Sequence, residues 1–274
     1  MMILSAGPNN IAVDLMPIFR DRVDRLMSMS LSDSYLMSCR KNENIKIYDL
    51  NYEEILNYDV GSINKLSRYG RRFLNQKSLP NQKIPKLSDI FDLINSKSIK
   101  DLVLNLEVKS TPAEDNLTPP PEEMVSIIKK EIEKSKLEEK ILISSFDWRI
   151  LKEFSIQMPN IARGYLSFQQ NTGTKIEKTI YKNSPWMDLT LAFEEHDLPG
   201  LIKKIGGKVW CPFYRDIKKK DVEMAHNEDL IVNVWTVNKE NDMMRMIEYG
   251  VDAIITDYPL ELKDLCEKNN LKWF

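Results

Sequence analysis

Short apolar runs rich in β-branched residues alternate along this chain with longer stretches of helical period, the signature of βα units rather than of a sandwich or a bundle. The alternation is sharpest near the C-terminus. There DLIVNVWTV (229–237) predicts a buried strand, KENDMMRMIEYG (239–250) a helix closed by Gly250, VDAIIT (251–256) another strand, and PLELKDLCEKN a last helix begun by Pro259. Working backwards, 208–213 reads as a strand, 217–226 as a helix, 161–166 as a strand, and 141–145 as a strand followed by a helix from Asp147. Further upstream, 102–108 reads as a strand, and the proline-rich TPPPEE leads through Pro121 into an amphipathic helix ending near Lys136. The first third offers a strand at 3–5, a helix over 12–25 and a strand through 26–31.

Roughly seven or eight strands in right-handed βα succession predict one α/β domain over residues 1–274, a (β/α)8 TIM barrel. A doubly wound open sheet is the alternative architecture, but no GxGxxG or Walker loop follows any strand, so nucleotide binding on such a sheet has no support. Two stretches break the rhythm: 59–85, an inserted basic and polar loop region with Arg68, Arg71 and Arg72, and 167–188. Either could be a solvated loop or a cover over the strand ends.

Composition narrows the functions. The 274 residues are 42% hydrophobic and carry a formal net charge of -2, which argues against nucleic acid or an anionic membrane as partner and leaves a small anionic ligand open. The start, MMILSAGPNN, lacks a basic leader, and no apolar segment is long enough for membrane insertion, so the expected location is cytoplasmic. Cys39, Cys211 and Cys266 are scattered without CxxC spacing, which predicts structural thiols rather than disulfides or a zinc site. The chain has two histidines, His196 and His226, so any chemistry needing a histidine pair must use both.

Several blocks, in order along nearly the whole chain, resemble the glycerophosphodiester phosphodiesterase family. They are VWTVNKENDMMRMIEYGVDAIITDYP (234–259) with Trp235, Asn238 and Asp257, ISSFD (143–147), ARGYL (162–166), IPKLSDIFDLI (84–94) before LNLEVK (104–109), and LNYEEILNYDVG. The resemblance implies hydrolysis of glycerophosphodiesters in lipid metabolism, with two histidines as acid and base around a divalent metal, Mg or Ca, held by carboxylates. It places the histidines at Ser5 and Arg40, the ExD ligand pair at Arg25 and Met27, the third ligand at Glu107 and a phosphate-contacting lysine at Lys109. No histidine precedes residue 196, so shifting the register cannot restore either one.

The expectation is therefore a degenerate, catalytically inactive member, a pseudoenzyme with no cofactor, that binds a phosphate-containing ligand or a protein partner. An active phosphodiesterase with a rebuilt, metal-dependent site and a structural subunit are the alternatives. The residues leave two readings of the vacated metal position. Arg25 pairs with a Glu107 otherwise buried alone, or Arg25, Arg40 and Lys109 form an anion site, with Trp235, Phe146 and Tyr165 as walls. Ser5, Glu107, Lys109 and Trp235 are expected at one end of the strands.

Overall fold

The structure, a computed structural model, describes residues 2–5, 50–97 apart from 60, 63, 67–69 and 72, 102–170 apart from 111 and 113–117, 178–187, and 197–271. Arg25, Met27, Arg40 and His196 lie outside the described residues, and β1 is described by its backbone alone.

In chain order the elements are β1 (Met2–Ser5), α1 (Tyr52–Ile55), α2 (Leu87–Lys97), β2 (Val103–Glu107), α3 (Pro121–Ser135), β3 (Ile141–Ser145), α4 (Trp148–Gln157) and β4 (Ala162–Ser167). They continue with α5 (Leu198–Lys204), β5 (Val209–Pro212), α6 (Lys219–Asn227), β6 (Ile231–Val234), α7 (Glu240–Tyr249), β7 (Ala253–Ile254) and α8 (Pro259–Lys268). The seven strands hydrogen-bond in sequence order, and the six from β2 to β7 are parallel. Sequential order without a reversal point is the βα succession of a half-barrel and rules out a doubly wound sheet among these strands.

Strand alternation decides which face does what. Leu104, Ile143, Tyr165, Trp210, Val232 and Ile254 join Phe91, Val125, Phe154, Ile202, Val222, Met246 and Leu262 of the helices in one core, so the helices cover one face of the sheet. Residues one step along each strand, among them Leu142, Leu166, Val209 and Cys211, form a separate cluster on the other face, with Val103, Phe146, Ala162 and Trp235 against it. Helices on one face alone suit a sheet that curves around its second face, as in a barrel wall.

Local chemistry sets the boundaries. Pro121 and Pro259 open their helices at the first position, and Gly250 closes α7 at φ 81°, a left-handed turn in which a side chain would be strained. Asp147 caps α4 by accepting from the Arg149 amide. The segments predicted at 229–237 and 251–256 contain the shorter β6 and β7. Among the described residues β7 pairs with β6, over two residue pairs.

The first strand departs from expectation. β1 runs antiparallel to β2, with Ser5 opposite Val103 and Met2 opposite Leu106. Ser5 therefore lies beside the start of β2, about 13 Å from the Glu107 end at four residues of strand rise, and not with Glu107, Lys109 and Trp235. The edge of β2 presents a row of unpaired backbone groups, which a four-residue apolar strand of either direction can satisfy.

Candidate functional site

The inner face of the sheet is apolar at its base and polar in its middle. Asn105, Ser144 and Asn233 are buried there, and Ser144 Oγ donates to Asn105 Oδ1 at 2.7 Å. Asn105 Nδ2 and Asn233 Oδ1 have no hydrogen-bond partner among the described residues, which is costly in a dry core and ordinary beside water or a polar ligand.

Two positions beyond Asn105, alternation brings Glu107 to the same face at the C-terminal end of β2. Its side chain is 3% exposed, and Lys109 Nζ donates to Oε1 at 2.6 Å from a position 28% exposed. Lys109, two residues on, supplies Glu107 with a positive charge, so the carboxylate is not buried alone among the described residues; the pairing of Arg25 with Glu107 falls outside the described residues. The loop carrying Lys109 is tied down in turn. Ser110 Oγ donates to Asp147 Oδ2 at 2.5 Å, and Asp147, fully buried, also receives Arg149 Nε at 2.9 Å and Nη2 at 2.6 Å. Asp147 caps α4 and holds the β2 loop at once.

Aromatic rings line the neighbouring strand ends. Phe146 meets Trp235 edge-on at 5.1 Å between centroids, Phe213 lies 5.1 Å and Phe168 6.1 Å from the same indole, and Trp235 Nε1 donates to the Cys211 carbonyl at 2.8 Å. Trp235 and Phe146 both pack on the inner-face cluster. Tyr165 does not: it points to the helix side and packs edge-on against Trp148 at 5.1 Å, because it sits one residue from the inward-facing Gly164 and Leu166. Phe168 and Phe213 were missed as walls, although the alternation Val209, Cys211, Phe213 carries the signal for the second.

Asn238 and Asp257 form a bracket at the last strands. Asn238 Nδ2 donates to Asp257 Oδ2 at 2.6 Å, while the Asp257 amide and Thr256 hydroxyl donate to Asn238 Oδ1. Cys211 is buried below the rings; burial, with the charge of Glu107 adding to it, pushes its thiol far above the usual range and keeps it protonated. His226 lies on α6 with Nε2 2.9 Å from Asp252 Oδ2, next to the start of β7 and at the opposite end of the sheet from Glu107.

A hard divalent cation takes six or more oxygen ligands, commonly including several carboxylates. Among the described residues no three of His, Cys, Asp or Glu gather, and the Glu107 carboxylate is already engaged by an ammonium group. The described residues do not fit such a metal.

A buried carboxylate, a lysine and a set of aromatic rings thus gather at the C-terminal ends of the parallel strands of a half-barrel, the end at which proteins of (β/α)8 architecture place their active sites. More narrowly, the chain belongs to the glycerophosphoryl diester phosphodiesterase family, whose model matches residues 18–261. It is 31% identical over 222 residues to a glycerophosphodiester phosphodiesterase of Caldanaerobacter subterraneus subsp. tengcongensis, covering 81% of this chain and 73% of that one. A Bacillus altitudinis protein of the same name is 27% identical over 178 residues, and the match spans 64% of this chain and 60% of that one. Among solved structures, a Silicibacter pomeroyi protein described as a glycerophosphoryl diester phosphodiesterase superposes with a TM-score of 0.70 at 33% identity, covering 82% of this chain and 70% of the other. A Galdieria sulphuraria protein, at 20% identity and a TM-score of 0.59 over 83% of this chain and 75% of its own, shares the fold.

Proposed function

We propose that the chain binds glycerophosphodiesters at the Glu107–Lys109 end of its sheet and hydrolyses them, the activity for which its relatives are named. The observation that carries this reading is the fixed Glu107–Lys109 pair beside an aromatic wall, at the face where proteins of this architecture place their chemistry. The Lys109 ammonium would hold a phosphoryl oxygen through a charge-assisted hydrogen bond, and Trp235, Phe146, Phe168 and Phe213 would shield the scissile bond from bulk water. In this reading Glu107 takes the proton of the attacking water as the oxygen–phosphorus bond forms, and the departing alkoxide takes a proton from a second water molecule as its own bond to phosphorus breaks. A closed eight-stranded barrel and a cytoplasmic setting belong to the same proposal.

A second reading, binding without turnover as a pseudoenzyme, is favoured by one specific observation. Ser5 and Arg40 stand where the resemblance implies histidines, and His226 lies at the wrong end of the sheet. Loss of a general acid or base typically costs about 10² to 10⁴ in rate. Isothermal titration and product release, measured together on glycerophosphocholine with and without Mg, Ca or Mn, separate the two. Saturable binding with release of free choline or glycerol phosphate sustains hydrolysis, saturable binding alone sustains the second reading, and no binding overturns both.

A further inference from the structure

On the helix side of the same strand ends lies a cavity of about 590 Å³ lined by Tyr214, Arg215, Ile217, Lys239, Asn241, Asp242, Arg245 and Tyr249. We propose that this cavity binds a phosphate-bearing small molecule, at a site separate from the Glu107–Lys109 mouth.

The separation follows from alternation at the end of β5. Phe213 packs on Trp235 at 5.1 Å and touches the edge of the helix-side core, whereas the next residue, Tyr214, is buried within that core while its amide donates to the Trp235 carbonyl. The cavity therefore opens on the opposite face from the mouth, between the end of β5 and the start of α7.

Its charge singles out an anion. The lining holds three cations, Arg215, Lys239 and Arg245, against the one carboxylate of Asp242, in a chain whose overall balance is -2. Lys218, Lys219 and Lys220 follow directly on Ile217 and raise the local potential further, offset by Asp221. Glu240 shares the first turn of α7 but is not part of the lining. Arg245 Nη2 pairs with Asp242 at 2.9 Å, which leaves Arg215 and Lys239 as the net positive charge of the lining.

The cations are held in place. Arg215 Nε donates to the Tyr214 hydroxyl at 2.8 Å and its guanidinium sits over that ring at 5.2 Å, while the Arg245 guanidinium approaches the same ring at 5.9 Å. The Tyr214 hydroxyl lies 3.4 Å from Asp242 Oδ2, and Tyr214 itself is buried. A guanidinium carries five N–H donors, and these contacts use one of Arg215 and one of Arg245. The ten-residue α7 adds backbone donors, since its N-cap, Lys239, makes no side-chain cap hydrogen bond to the first-turn amides. Guanidinium forks, an ammonium and helix N-terminal amides around one space match a tetrahedral oxyanion with several acceptors better than a lone carboxylate. The volume exceeds what a bare phosphate needs, and Ile217 and Tyr249 offer an apolar surface for an attached organic group.

Equilibrium dialysis of the full chain against inorganic phosphate and against phenyl phosphate tests the site and its source. Saturable binding is expected. Equal affinities assign free phosphate and tighter phenyl phosphate assigns a phosphomonoester; either sustains the site. Arg215→Gln with Lys239→Gln should weaken binding by at least about tenfold. Lys219→Gln with Lys220→Gln, which removes equal charge outside the cavity, should weaken it far less. Failure of hydrolysis at the mouth does not touch these results. In the unmutated protein, phosphate should protect Lys239 from acetylation by acetic anhydride, read by mass spectrometry, so the test does not depend on a variant folding. No saturable binding up to about 10 mM, equal weakening by the two double variants, or unprotected Lys239 would each overturn the proposal.

Discussion

Glu107 shows how a single side chain organises its surroundings. Buried to 3% exposure and paired with a Lys109 that remains partly open to solvent, it lies between the buried and the surface ion-pair regimes. Lys109→Ala is expected to cost about 2 kcal/mol in urea unfolding, more than a surface pair and less than a fully buried one. The double change with Glu107→Ala should cost less than the two single losses summed, because it removes the stranded charge. Asp216 supplies a prediction in pH. Burial pushes its carboxyl from 3.8 up to about 6, against the lowering by the Gln169 amide, the Gln170 side chain and the charge of Lys178. Between those two values the folded chain binds the proton and the unfolded chain does not, so stability should fall as pH rises from about 4 to about 6 and level off above. Asp216→Asn should flatten that slope and raise stability above pH 6, as followed by thermal unfolding across pH. An unchanged slope would show that other groups set it.

Among the elements, α4 and the loop after β2 are coupled through Asp147. Its carboxylate caps the helix, receives two Arg149 donors and receives Ser110 from the neighbouring loop. Asp147→Ala should cost about 2 kcal/mol, since it removes the cap and the acceptor of Ser110 while the Arg149 guanidinium, 40% exposed, can turn to water. Asp147→Asn should recover part of this by keeping the cap, and equal losses in the two variants would assign the whole effect to the Arg149 pair. Much of this element scale was legible beforehand: Pro121, Pro259, Gly250 and Asp147 mark helix ends in the sequence and mark them in the structure, because caps act through local geometry. Strand direction is not local. The apolar run of β1 reads the same whichever way it pairs, so nothing in its four residues announced the antiparallel register that carries Ser5 away from Glu107. Tyr165 was misplaced for a related reason, since counting it near a strand end ignored the face that alternation assigns it.

At the scale of the whole molecule, six parallel strands with helices on one face place two kinds of surface on opposite sides of the same strand ends. The inner side gathers Glu107, Lys109 and the rings around Trp235; the helix side gathers Arg215, Lys239 and Arg245. The sequence motifs pointed to the first, because LNLEVK and the block from Trp235 to Asp257 carry family resemblance. The second was invisible to motif reading, since its cations come from the segment after β5 and from α7 with its N-cap, and meet only when β5 and β6 pair. No helix among the described residues is long and apolar enough to cross a membrane. The central claim, that the inner mouth acts on glycerophosphodiesters, is tested most directly by release of choline or glycerol phosphate from glycerophosphocholine, comparing the unmutated chain with Lys109→Met. The account expects product release above background that falls by at least about tenfold in the variant, in line with loss of one charge-assisted contact. Release that is absent from the unmutated chain, or undiminished by Lys109→Met, would contradict it.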